Sequence, residues 1–176
     1  MNTANKLTML RIFLIPVFLI VLYIDFPYHM WVGVLIFVAA SVTDFVDGYV
    51  ARHYNQITDF GKFMDPLADK VLVVAAMLWF VEVGRMAAWA LLIVIIREFA
   101  VTALRLVAVE GNRVIAAGWS GKVKTAATML CIILMLFPLA SSLLDMICVA
   151  VILVTTLYSG IEYFVKNADV IDWKNM

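Results

Sequence analysis

The chain has 176 residues, 65% of them hydrophobic and 15% charged, with a mean hydropathy of +1.03. Soluble domains average about 45–50% apolar and about a quarter charged, so the composition excludes an ordinary soluble fold and indicates an all-α integral membrane protein. A net charge of zero gives a nucleic-acid partner no electrostatic footing.

A spanning helix needs about 20 apolar residues. The length therefore holds about six spans with short loops, in one domain over residues 1–176 with no separate soluble part. In chain order the apolar segments are Leu7–Ile24, Met30–Ala51, Pro66–Val83, Met86–Val109, Val123–Leu139 and Leu143–Val165. The first follows a short basic start in the manner of a signal peptide. Its length, and the lack of an A-x-A-like site before the next run, make it an uncleaved first span. The turns "DFPYH", "EVGR" and "PLASS" alternate with longer charged connections, and there is no internal repeat.

Trp31, Trp79, Trp89 and Trp173 stand near run ends and fit an interfacial aromatic belt. Met30, Met64, Met77 and Met86 read as packing or lipid-facing groups. Gly33 and the pairs Ala75–Ala76, Ala87–Ala88 and Ala126–Ala127 suit close helix contact. Cys131 and Cys148 fall inside apolar runs and read as buried free thiols rather than a disulfide framework.

With a cytoplasmic N-terminus, every Lys and Arg except Arg85 lies on the cytoplasmic side, as positive-inside topology requires. An even number of spans returns the C-terminus to that side. Asp44, Asp47, Asp65 and Asp69 then share one membrane face with Arg97, Arg105, Lys122 and Lys124.

The stretch "DFVDGYVARHYNQITDFGKFMDPLAD", Asp44–Asp69, carries the chemistry. On a helix, Asp44 and Asp47 are three apart and Asp65 and Asp69 four apart, so each pair shares a face. Pro66 suits a first helical turn; alternatively the helix starts near Gly61 and kinks at the proline. Two helices meeting here would bring four carboxylates together. Their repulsion calls for cations, and an all-oxygen site suits Mg²⁺ or Mn²⁺. Such a site fits phosphoryl-group chemistry. Gly48 and Ala51 clear side-chain bulk beside the acids, and Arg52 is placed to meet a phosphate. Asp59 reads as a bystander, a cap or surface charge.

The stretch resembles the signature of the CDP-alcohol phosphatidyltransferase family, D-x2-D-G-x2-A-R-x8-G-x3-D-x3-D. Asp44, Asp47, Gly48, Ala51, Arg52, Gly61, Asp65 and Asp69 fill every fixed position without a gap. The resemblance implies a six-helix membrane fold around a polar cavity open to the cytoplasm. It implies two divalent cations, Mg²⁺ or Mn²⁺, on Asp44, Asp47, Asp65 and Asp69. Asp47, Gly48, Ala51, Arg52 and Gly61 would line the site for the cytidine diphosphate. Asp69 matches the general base that deprotonates the acceptor alcohol, whose oxygen attacks the phosphatidyl phosphorus of a CDP-linked lipid and releases CMP.

The acidic motif does not fix the acceptor. "REFAVTALR" puts Arg97 and Arg105 eight apart, about 80° around a helix, and "GKVKT" adds Lys122 and Lys124. Four cations near the acids suggest a phosphate-bearing acceptor. These pieces and "NKLTMLR", with Asn5, Thr8 and Arg11, resemble the bacterial phosphatidylglycerophosphate synthases of that family. That resemblance implies CDP-diacylglycerol as donor, with Asn5 and Thr8 on its side. It also implies sn-glycerol 3-phosphate as acceptor, held by Arg97, Arg105, Lys122 and Lys124, in the bacterial cytoplasmic membrane. Glu98 is either a partner orienting Arg97 or a simple interfacial charge, and a homodimer is left open. The rivals are family members using inositol phosphate, serine or phosphatidylglycerol. A small cation-coupled transporter fits less well, since its acids would lie near mid-membrane.

Overall fold

A computed structural model describes residues 3–53, 59–111, 115–116, 118–138 and 140–170, with the backbone alone at 3–7, 44–53, 59–63, 65–66 and 110. The described residues form six α-helices and no strand: α1 Thr3–Tyr23, α2 His29–His53, α3 Asp59–Glu82, α4 Ala88–Glu110, α5 Trp119–Leu136 and α6 Ser142–Lys166. A short 3-10 turn, Ala168–Val170, follows. Five helices match the apolar runs within a few residues. The third begins seven residues earlier than its run, so Pro66 lies inside α3 rather than in its first turn. Hydropathy marks where a helix becomes apolar, not where it starts, and an acidic residue such as Asp59 is favoured at a helix N-terminus.

The connections follow from local chemistry. Gly84, at φ 74°, turns the chain between α3 and α4 in the left-handed region that glycine adopts without steric cost. Ser141 caps α6, its hydroxyl accepting from the Leu144 N–H at 3.3 Å, and Asp145 sits in the first turn.

Three ties gather one end of the bundle. The Tyr23 hydroxyl donates to Glu82. Trp31 meets Phe137 edge-on at 4.7 Å between centroids. Arg85 donates twice to Asp145, at 2.8 and 2.6 Å, while lying over the Phe80 ring. The C-terminal ends of α1, α3 and α5 therefore lie with the N-terminal ends of α2, α4 and α6, and the helices alternate in direction. Asp145 thereby gains a structural role that hydropathy gave no reason to expect.

α3 packs against α1, α2, α4 and α5, while α6 packs against α4 and α5. The core runs through Phe18, Phe37, Leu72, Met77, Phe80, Ile132, Met135 and Ile152. A Cβ on Gly33 would sit 2.8 Å from Leu22 Cδ2, so glycine allows the close approach of α1 and α2. Ala75 and Ala76 are buried, but Ala87, Ala88 and Ala126 are exposed and make no such contact face. Trp79 departs from the expected belt: it is 7% exposed and packs edge-on against Phe80 inside the core. Trp31 and Trp89 are exposed near helix starts, and Trp173 lies outside the described residues. Cys131 and Cys148 are free and buried.

The outer surface is apolar as well. Phe13, Leu35, Leu78, Phe99, Leu130 and Val154, one from each helix, are all more than half exposed. α5 and α6 are long and apolar enough to cross a membrane, and α1 and α2 contain the shorter apolar stretches Thr8–Tyr23 and His29–Thr43.

Candidate active site

The signature splits across two helices at the end of the bundle opposite the three ties. Asp44, Asp47, Gly48, Ala51 and Arg52 stand in the last three turns of α2, and Gly61, Asp65 and Asp69 in the first three turns of α3. α2 and α3 are in contact. Each acid pair keeps the one-turn spacing that puts both members on one helical face. Of these eight residues, only Asp69 has its side chain among the described ones. The others are placed by their backbone. Carboxylate oxygens without sulfur or nitrogen donors suit hard divalent cations, so these residue types fit such a group by their chemistry.

Asp69 lines a cavity of about 320 Å³ between α3, α4 and α5. Its polar wall comprises Asp69, Lys70, Glu98, Thr102, Lys124, Thr125 and Thr128, and its apolar wall includes Val73, Val94 and Phe99. Glu98 organises the polar wall. Lys124 Nζ donates to Glu98 Oε1 at 2.7 Å, and Arg97 Nη1 donates to the same oxygen at 2.9 Å. Lys124 is only 5% exposed, and a cation at that depth needs a partner. Glu98 supplies it for both cations, which settles its role in favour of the orienting partner. Lys70 Nζ donates to Thr102 Oγ1 at 2.7 Å, and that hydroxyl donates to the Glu98 carbonyl at 2.7 Å.

Arg97 reaches this oxygen through a slot left by Gly160, with Gly121 at ordinary contact distance. A Cβ on Gly160 of α6 would lie 3.1 Å from Arg97 Cγ, and one on Gly121 of α5 would lie 3.9 Å from its Nη2. Arg105 takes another direction: its Nε donates to the Tyr163 hydroxyl at 2.8 Å, and its guanidinium lies over that ring. Of the four cations only Lys124 lines the cavity; Arg97 is half-buried beside it, and Arg105 and Lys122 are exposed. The four cations therefore separate into Arg97 and Lys124 on Glu98, and Arg105 and Lys122 outside. On α1, Thr8 and Arg11 are buried; the side chain of Asn5 lies outside the described residues.

Lys70, Thr102, Thr128 and Gly160 belong to this neighbourhood and were not singled out by sequence. Lys70 directly follows the last acid, and Thr128 lies one turn beyond Lys124 on α5. Helical spacing from the residues already marked could have found both. Gly160 sits on α6, far from any motif, and has no sequence signal that points to Arg97.

Residues 1–158 match the CDP-alcohol phosphatidyltransferase family. The chain is similar to the CDP-diacylglycerol–glycerol-3-phosphate 3-phosphatidyltransferase of Bacillus subtilis strain 168, with 40% identity covering 99% of each chain. Proteins of the same name from Salmonella paratyphi A and Shigella flexneri serotype 5b are 43% and 37% identical. The first match covers 73% of this chain and 72% of the relative, the second 97% and 98%.

Proposed function

The chain belongs to the CDP-alcohol phosphatidyltransferase family, and from that premise we propose that it makes phosphatidylglycerol phosphate and CMP from CDP-diacylglycerol and sn-glycerol 3-phosphate. The observation that carries the assignment is one cavity lined by both Asp69 and the Glu98-held Lys124. A base and an anion holder are what a phosphorylated alcohol needs in order to be both bound and activated.

Arg97 and Lys124 bind the acceptor's phosphate by charge-assisted hydrogen bonds. Asp69 takes the proton from the acceptor hydroxyl as that oxygen attacks the phosphatidyl phosphorus. The bond from phosphorus to the CMP oxygen breaks, and CMP leaves with the bonding pair. Gly48, Ala51, Arg52 and Gly61 receive the cytidine diphosphate, with Asn5 and Thr8 on the same side. Asp44, Asp47, Asp65 and Asp69 hold two divalent cations, Mg²⁺ or Mn²⁺, which when bound neutralise the diphosphate and the leaving group. Arg105 and Lys122 add positive potential that draws the acceptor in.

All six helices cross a bacterial cytoplasmic membrane in this proposal, supported by the exposed apolar side chains on each. Both termini and the site face the cytoplasm, on the side carrying every Lys and Arg but Arg85. The test offers purified protein CDP-diacylglycerol with glycerol 3-phosphate, serine, inositol phosphate or phosphatidylglycerol in turn. CMP release is expected with glycerol 3-phosphate and should cease with chelator. Release that depends on another alcohol overturns the acceptor assignment.

A further inference from the structure

Three threonines line the cavity, and two have their hydroxyls engaged. Thr102 Oγ1 donates to the Glu98 carbonyl and accepts from Lys70. Thr125 Oγ1 donates to the Gly121 carbonyl at 3.1 Å. Thr128 is different. It is 1% exposed, and its Oγ1 is buried with no hydrogen-bond partner. A helical threonine ordinarily satisfies itself on the carbonyl four residues back, as Thr43, Thr102, Thr125 and Thr155 do here. Leaving such a hydroxyl unmet is unfavourable, and buried polar groups without partners are rare. Thr156 is also buried and unpartnered, but it does not line this cavity.

We infer that Thr128 hydrogen-bonds the middle, non-reacting hydroxyl of the glycerol 3-phosphate acceptor and so reads both its presence and its stereochemistry. The inference rests on the acceptor proposed above and deepens it. That acceptor has three polar parts: a phosphate, a middle hydroxyl and a reacting hydroxyl. The cavity wall offers a counterpart to each: Lys124 on Glu98, the Thr128 hydroxyl one turn along α5 from it, and Asp69. With phosphate and reacting hydroxyl pinned at either end, the middle hydroxyl alone distinguishes the two mirror-image glycerol phosphates. One hydroxyl on one wall meets it in only one of them.

The test compares wild type, Thr128→Val and Thr128→Ser on sn-glycerol 3-phosphate, its sn-1 enantiomer and 3-hydroxypropyl phosphate, which lacks the middle hydroxyl. A neutral hydrogen bond corresponds to a change of roughly three- to tenfold. Thr128→Val should lower kcat/KM for sn-glycerol 3-phosphate by about that factor and leave 3-hydroxypropyl phosphate unchanged. The preference between enantiomers should narrow by the same factor, and Thr128→Ser, which keeps the hydroxyl, should restore both preferences. Equal losses on all three acceptors, or none, overturn the inference even if Thr128→Val is less stable, since instability scales every acceptor alike. Wild-type protein inactive on glycerol 3-phosphate but active on another alcohol overturns the acceptor assignment, and this inference with it.

Discussion

Glu98 and Lys124 meet at 2.7 Å across the gap between α4 and α5, and the glutamate oxygen that receives the lysine also receives Arg97. One carboxylate thus holds two cations in place, Lys124 in the cavity wall and Arg97 behind it. Removing one partner of a buried ion pair costs about 3–5 kcal/mol, and the 21% exposure of the Glu98 side chain puts this site at the lower end. Glu98→Ala should destabilise the protein by about 3 kcal/mol and depress its melting midpoint in detergent. Adding Lys124→Met should recover part of the loss. An unchanged midpoint would show that water, not Glu98, screens these cations.

Lys124 itself should act on the acceptor alone. A hydrogen bond to a charged group contributes about 1.5–3 kcal/mol, so Lys124→Ala should raise the KM for glycerol 3-phosphate about 10- to 100-fold. The KM for CDP-diacylglycerol should hold. A rise confined to the lipid would place the lysine on the wrong substrate.

For the proposed base the expected signature is kinetic. General-base catalysis contributes about 10²–10⁴-fold, so Asp69→Asn should cut kcat by that order while the melting midpoint stays near wild type. Activity within a factor of a few of wild type would exclude Asp69 from proton transfer.

At the other end of the bundle, Arg85 and Asp145 offer a control for stability without chemistry. The pair is bidentate, with side chains 22% and 10% exposed. Asp145→Ala should destabilise by about 1–3 kcal/mol, discounted for partial exposure. Turnover per folded molecule should not change. A loss of kcat at a temperature where the variant is fully folded would tie this end to the reaction.

Metal dependence separates the acids from the cations. Asp44→Asn or Asp65→Asn should raise the Mg²⁺ or Mn²⁺ concentration needed for half-maximal rate, whereas Lys124→Ala should not. A titration midpoint unmoved by either acid variant would remove those acids from the metal site.

The helix order was legible because each helix carries an apolar run, and the family was legible because eight residues stand at its signature's fixed spacing. What sequence reading missed has specific causes. The apolar run starts later than α3 because charge in "DFGKFM" breaks a hydropathy run without breaking a helix, and the alternative start near Gly61 is within two residues of the observed one. The place of Trp79 near a run end points to the interface, but burial depends on which side of α3 faces its neighbours. Arg105 and Arg97 looked alike on a helical wheel, yet Tyr163 on α6 engages one and Glu98 the other. Helical spacing from Lys124 points to Thr128, but that its hydroxyl lacks the bond that neighbouring threonines make is visible only in the structure.

The slot through which Arg97 passes has a consequence for engineering. A glycine inside a helix is about 1 kcal/mol less favourable than alanine, so Gly160, in the last third of α6, is where a stabilising substitution would first be tried. The added methyl would lie 3.1 Å from Arg97 Cγ, so the arginine stem would have to shift by a few tenths of an ångström to admit it. At this position the helical gain of alanine is set against the room that the Arg97 stem occupies, and the melting midpoint of Gly160→Ala reads which of the two prevails.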